Sequence, residues 1–131
     1  MSIERARQHL RRWNKDVLIQ EHEVSSATVE LAAEALHTVP GRIAKTLSFL
    51  NGERTLLIVA AGDAKVDTKQ FKNAFGVKKA RMVPAEEVEE RTGHAVGGVC
   101  PFGVNEGVDV FLDVSLKRWP TVFPACGSSN S

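Results

Sequence analysis

The sequence predicts one domain of α+β or mixed α/β class, with helices packed on a single sheet. Three observations predict it. The chain has 131 residues, a length that one hydrophobic core serves. Four segments carry helix signals, either apolar residues at three- and four-residue spacings or N- and C-cap residues. Between the second and third of them lie two apolar runs joined by Asn51-Gly52, the pattern of a hairpin.

Each element follows from its residues. Ser2 can cap a first helix, in which Ile3, Ala6, Leu10 and Trp13 form one apolar stripe. A short strand is expected at Val17 to Gln20. Ser25 and Ser26 open a second helix with Val29, Ala32, Ala33 and Leu36 inward, and Val39-Pro40-Gly41 ends it. Arg42 to Leu50 and Arg54 to Ala61 form the hairpin, with Asn51-Gly52 as a type I′ turn because both central residues there need positive φ. The second arm, Leu56 to Ala61, is apolar on both parities, as in a central strand covered on both faces. Asp67 with Gln70 three residues on has capping-box spacing, Val66 and Phe71 have hydrophobic-staple spacing, and Gly76 stands where a left-handed C-terminal residue belongs. A fourth helix starts at Pro84 and stops at Gly93, with Glu86, Glu87, Glu89 and Glu90 in its first turns, where the helix dipole favours negative charge. Gly93 to Gly107 holds five glycines and one proline and reads as a long loop, the kind that carries function. Val108 to Asp113 and Thr121 to Phe123 are the last two strands.

Composition excludes several classes. The net charge of +1 supplies no global attraction to nucleic acid, so any RNA contact needs a local basic patch. Two cysteines without Cys-x-x-Cys spacing exclude a disulfide scaffold and the usual zinc ribbons. The immediately charged N-terminus lacks the form of a signal peptide, and the longest apolar run, Thr55 to Gly62, is too short to span a bilayer. A soluble cytoplasmic protein without a membrane partner is expected.

Three features carry candidate chemistry. Lys45 shares its strand face with Ile43, Leu47 and Phe49. Either the strand begins after it and the lysine is solvated or snorkelling, or it is a cation at a pocket edge that holds a phosphate or a polarised carbonyl. The loop Val96-Gly97-Gly98-Val99-Cys100-Pro101-Phe102-Gly103 either is a plain connection needing positive φ, or brings its backbone close to a ligand. It matches neither a Walker motif nor a dinucleotide fingerprint. Lys65, Lys69, Lys72, Lys78, Lys79 and Arg81 fall within 17 residues, as the solvated face of a helix or as a phosphate-binding strip. His22, His37 and His94 have no ligand spacing, so no metal site is expected, and Cys100 reads as a buried thiol.

Gly41-Arg42-Ile43-Ala44-Lys45-Thr46-Leu47 together with the Gly97-to-Pro101 loop resembles the YbaK / prolyl-tRNA-synthetase editing-domain family. The helix from Asp67 to Gly76, Met82 to Val88, Thr92-Gly93 and the ending Pro124-Ala125-Cys126-Gly127-Ser128 fit the same order. The resemblance runs from about Glu4 to Ser131. It implies a six- or seven-stranded, mostly antiparallel sheet with flanking helices. It implies an aminoacyl-tRNA deacylase that clears mischarged tRNA, often a tRNA for proline, with no cofactor and no metal. Lys45 would hold the tRNA 3′ end or the substrate carbonyl, and Gly97 would position substrate through its backbone. Thr46, Gly98, Val99, Cys100, Pro101, Ala125, Cys126, Gly127 and Ser128 would complete the substrate site.

Such chemistry suits a chain without a Ser-His-Asp or Cys-His set, because an aminoacyl ester is already activated. Orientation and donors aimed at the developing oxyanion then supply the rate. Two departures qualify the carry-over. Some subfamilies place Ser or His before the final glycine, where this chain reads Ala125-Cys126-Gly127, so the amino-acid specificity is not carried over. Family members usually continue with another strand and helix where this sequence reads to Ser131, so the expectation is either a domain that lacks that C-terminal strand and helix by truncation or a sheet edge completed by a partner or in an oligomer. The competing reading is a non-catalytic module that binds RNA, a nucleotide or a synthetase.

Overall fold

The computed structural model describes residues 2–131. The expected capping role of Ser2 concerns a side chain outside the described residues. Helix α1 (Ser2–Arg11) buries Ile3 and Ala6. Trp13 lies past its end, 56% exposed, with its ring 5.3 Å from that of His9, so the apolar stripe stops one turn short of it.

Val17 to Gln20 does not form the expected strand. Asp16–Leu18 form a short 3-10 helix, and Val17 is 78% exposed, because no neighbouring strand offers a ladder for this segment. Helix α2 (Val29–Ala35) starts later than Ser25-Ser26 suggests. Thr28 is its cap, its Oγ1 accepting from Leu31 N at 3.2 Å, while Ser25 Oγ donates to Ser129 O.

Strands β1 (Ile43–Asn51) and β2 (Arg54–Ala61) form the antiparallel hairpin. Its register pairs Asn51 with Arg54, so the two-residue turn is Gly52-Glu53 rather than Asn51-Gly52. Only Gly52 has positive φ (+63°), the Gly-first pattern in which one central residue needs that region. As expected, β2 is covered on both faces, with Leu56, Leu57 and Ala61 fully buried.

Helix α3 (Thr68–Phe75) has the predicted punctuation. The Asp67 carboxylate accepts from Lys69 N and Gln70 N, and Gly76 closes the helix at φ +65°. Its Phe71 packs on Phe49 and Leu56, with Val66 beside them as the staple requires. Burying that ring contributes roughly 2–3 kcal/mol. Strand β3 (Arg81–Met82) pairs antiparallel with β1, and α4 (Ala85–Thr92) follows, with Pro84 at the N-cap rather than inside the first turn.

The sheet is mostly antiparallel, as expected, but mixed, and among the described residues it has five strands rather than six or seven, ordered β3-β1-β2-β4 with β5 also on β1. β4 (Asp109–Leu112) runs parallel to β2, and β5 (Phe123–Pro124) runs parallel to β1. The connection from β2 to β4 contains two helices and the glycine loop, a crossover long enough to return the chain in the same direction. Among the described residues no helix is long and apolar enough to cross a membrane.

Candidate active site

The outer edge of β1 is only partly covered. β5 pairs with it at Ile43 and Ala44, and β3 at Phe49 and Leu50. Between them Lys45 to Leu47 meet no strand on that side. Ile43 O accepts from Gly62 N, towards β2, whereas Ser48 O accepts from Val83 N on the outer side. Alternation along the strand therefore turns the main-chain N–H and C=O of Thr46 towards the uncovered gap. Thr46 Oγ1 is buried and has no hydrogen-bond partner among the described residues. Buried hydroxyls are nearly always satisfied, so an orphan here marks room for a polar group from a ligand or water.

This gap forms the wall of a cleft of about 950 Å³. Its lining is mostly apolar, with Leu10 of α1, Ile19 after it, Leu36 at the end of α2, Val83 before α4, and Phe123 of β5 among the walls. Among the described residues its charged side chains are Lys15 and Lys45, and no aspartate or glutamate lines it. A cation among mostly apolar walls, with the nearby Asp63 carboxylate outside the lining and engaged by Arg118, suits an anion or a carbonyl that gains negative charge.

Lys45 is half-buried, and its face of β1 is the one predicted, shared with Ile43, Leu47 and Phe49. Its Nζ donates to Gly62 O at 3.4 Å and to Ala64 O, both in the turn that follows β2. Two of the three ammonium protons are thus engaged among the described residues. The turn is itself anchored, because Asp63 takes Arg118 Nη1 at 3.1 Å. The Arg118 guanidinium holds the Asp63 carboxyl below the usual carboxylate range, with Lys45 adding a smaller effect of the same sign. Gly62 has no room for a side chain, since a Cβ there would run into Pro40 O and the Val29 side chain.

The glycine loop faces the cleft with Val96, Gly97, Val99 and Phe102. Gly97 has φ +92°, a region that other residues enter only with strain. Gly98 lies against the C-terminal segment, where a Cβ would stand 2.5 Å from Ser128 N. That segment is tied back to the chain before α2, with Ser26 N donating to Ser129 O and His22 N donating to Asn130 O, each at 2.7 Å.

The cleft thus gathers Lys45, Thr46, Gly97, Val99, Ala125 and Cys126 of the predicted set. Gly98, Cys100, Pro101, Gly127 and Ser128 do not line it. Cys100 is fully buried against Ala6 and Cys126, and His94 Nε2 lies 3.5 Å from its sulfur. Burial pushes the Cys100 thiol up to about 12 and the Cys126 thiol up to about 11. Neither is a thiolate at neutral pH, so neither serves as a ready nucleophile. His94 is buried too, its Nε2 donating to Phe102 O at 2.6 Å, and burial lowers its pKa. The basic residues Lys65, Lys69, Lys72, Lys78, Lys79 and Arg81 are exposed and outside the cleft. No group of three or more metal-ligating side chains exists among the described residues.

Several cleft residues escape sequence reasoning. Met82, Val83 and Val88 form a wall, and His22, Ser26 and Ser131 contribute polar atoms. None has a local signal, because each reaches the cleft only through strand pairing or the hydrogen bonds of the C-terminal segment.

The cleft is thus bounded by an uncovered strand edge beside a lysine and faced by a glycine loop, in a domain with a mixed sheet and flanking helices. The aminoacyl-tRNA editing domain profile matches residues 23–131, and the chain belongs to that family. The sequence resemblance to the YbaK / prolyl-tRNA-synthetase editing domains is thereby borne out. The chain is 55% identical over 132 residues to the uncharacterized protein YwhH of Bacillus subtilis (strain 168), covering 100% of this chain and 83% of that protein. It is 30% identical over 117 residues to EbsC of Enterococcus faecalis (strain ATCC 700802 / V583), a candidate Cys-tRNA(Pro)/Cys-tRNA(Cys) deacylase, covering 88% of this chain and 65% of EbsC. A proline–tRNA ligase of Geobacillus sp. (strain WCH70) matches 82% of the chain at 28% identity, and the match spans 19% of the ligase. Among solved structures, a candidate trans-editing enzyme for prolyl-tRNA synthetase superposes with TM-score 0.86 at 31% identity, over 98% of this chain and 82% of that one.

Proposed function

We propose that this chain is a trans-editing deacylase that hydrolyses the ester between a wrongly attached amino acid and its tRNA, with a tRNA for proline as carrier. The observation that carries this reading is Lys45 at an acid-free cleft beside the uncovered backbone of Thr46. Family membership supports it, and so do the names given to EbsC and to the structural neighbour. The related segment within a proline–tRNA ligase fits a domain that works beside that synthetase.

In this reading the 3′-terminal adenosine and its aminoacyl group enter the cleft. The remaining N–H of Lys45 and the N–H of Thr46 aim at the ester carbonyl oxygen and stabilise its developing charge. Gly97 offers main-chain contacts at a distance that a side chain would prevent. Val99, Ala125 and Cys126 bound the acyl group, and the apolar walls favour an uncharged one. A water held in the cleft adds to the carbonyl carbon and the C–O bond to the ribose breaks. Free amino acid and tRNA with a restored hydroxyl result. No strong base is required, because the ester is activated and orientation supplies much of the rate. The cytoplasm, where tRNA is charged, is the compartment this function requires.

The test is a deacylation assay on a panel of mischarged tRNAs, Cys-tRNA for proline among them. Release of amino acid above the spontaneous rate is expected for at least one. Tight tRNA binding with no release on any member would instead favour the non-catalytic binding module.

A further inference from the structure

Charge is distributed unevenly around the cleft. Between Ala64 and Met82 stand Lys65, Lys69, Lys72, Lys78, Lys79 and Arg81, against a single carboxylate, Asp67. That carboxylate is already committed to capping α3. The whole chain carries only +1, so the remainder is net negative. The six cations are all exposed, and none forms an ion pair among the described residues. By contrast Arg7, Arg11, Arg54, Arg91 and Arg118 are each paired with a carboxylate. Unpaired cations concentrated on one strip are suited to an external polyanion.

The fold places the strip against the cleft. α3 buries Phe71 and leaves Lys69 and Lys72, three residues apart, on one outward side. The chain then turns at Gly76, and Lys78, Lys79 and Arg81 line a shallow groove of about 400 Å³ with Leu50, Gly52 and Val77. Arg81 begins β3, and the next two residues, Met82 and Val83, line the cleft itself. Beyond them the sign reverses, because α4 carries Glu86, Glu87, Glu89 and Glu90. A negatively charged chain whose end sits in the cleft is therefore drawn along α3 and β3 and repelled from α4.

We infer that the strip from Lys65 to Arg81 is the docking surface for the RNA backbone next to the aminoacylated 3′ end, with Lys78, Lys79 and Arg81 nearest the cleft. The inference rests on the editing function proposed above. It assigns the strip to phosphate contacts, which position the RNA without reading its sequence.

The test measures binding of uncharged tRNA by fluorescence anisotropy across a salt series, together with steady-state deacylation of the mischarged tRNA. A K78Q/K79Q/R81Q variant is expected to bind tRNA roughly tenfold more weakly at low salt, from three lost surface charge contacts. The slope of log affinity against log salt should fall by about one per removed phosphate contact. Its KM for mischarged tRNA should rise in step while kcat stays unchanged, and K117Q, on the short helix after β4, should alter neither binding nor KM. An unaltered affinity and salt slope in a triple variant with a wild-type melting curve would overturn the inference, as would absence of tRNA binding by the wild type. Failure of the editing reading shows differently, as normal salt-dependent tRNA binding by the wild type with no ester hydrolysis.

Discussion

Replacing Lys45 by alanine separates two tasks that the structure gives to one side chain. The ammonium clamps the turn after β2 through Gly62 O and Ala64 O, and the residue lines the cleft. Hydrogen bonds from a charged donor contribute about 1.5–3 kcal/mol each when buried, but this site is half-buried and water can rehydrate both carbonyls. The net loss of stability is expected to be about 1–2 kcal/mol, a fall in Tm of roughly 4–8 °C for a domain of this size. Removing one donor to a developing oxyanion costs about 10²–10³ in kcat. Lys45→Ala should therefore remain folded, by circular dichroism and a cooperative melt, yet lose at least two orders of magnitude in the rate of amino-acid release under single-turnover conditions. Lys45→Arg should recover the clamp more fully than the rate, because a planar fork does not reproduce the position of a compact ammonium. A lowered Tm with a near-wild-type rate would refute the reasoning and leave Lys45 as a structural clamp.

Three further outcomes are expected. Gly98→Ala would drive a Cβ to 2.5 Å from Ser128 N, so its urea midpoint should fall by the equivalent of about 2–3 kcal/mol, and an unchanged midpoint would show that the loop does not rest on the C-terminal segment. His94 is held neutral by burial, with a folded pKa below its unfolded value near 6.5, so its contribution to stability is present above pH 6.5 and is lost as pH falls. Thermal midpoints from pH 7.5 to 5 should fall less steeply in His94→Gln, whose amide can still donate to Phe102 O, and identical slopes would count against that assignment. Asp63→Asn weakens the Arg118 contact that fixes the lysine-bearing turn, so kcat should fall roughly tenfold with KM unchanged. The same change made in Lys45→Ala should have no further effect on kcat, as expected for a positioning residue that acts through Lys45.

The helix ends were legible because their signals are local. Asp67 and Gly76 bound α3 through a side-chain cap and a left-handed glycine, and neither depends on distant residues. The buried hairpin arm was legible from the unbroken apolar run at Leu56 to Ala61. Val17 to Gln20 was misread because four apolar and polar residues suit a strand only where a partner edge exists, and none lies there. The turn shifted by one residue because the register between Asn51 and Arg54, not the Asn-Gly pair, selects the two central positions.

By itself the sequence determined the four helices, the central hairpin, the family, and the pairing of Lys45 with the glycine loop as the place to look. These depend on periodicity, on capping chemistry and on short motifs, all of which act over a few residues. Only the tertiary structure decided that β4 and β5 join in parallel, because crossover direction is set by where distant segments pack. It likewise decided that Thr46 lies on an uncovered strand edge and that Cys100 turns into the core rather than the cleft. The role of the turn at Gly62 to Ala64 belongs to the same class: a lysine 17 residues away finds its carbonyl partners only when β1 and β2 have paired.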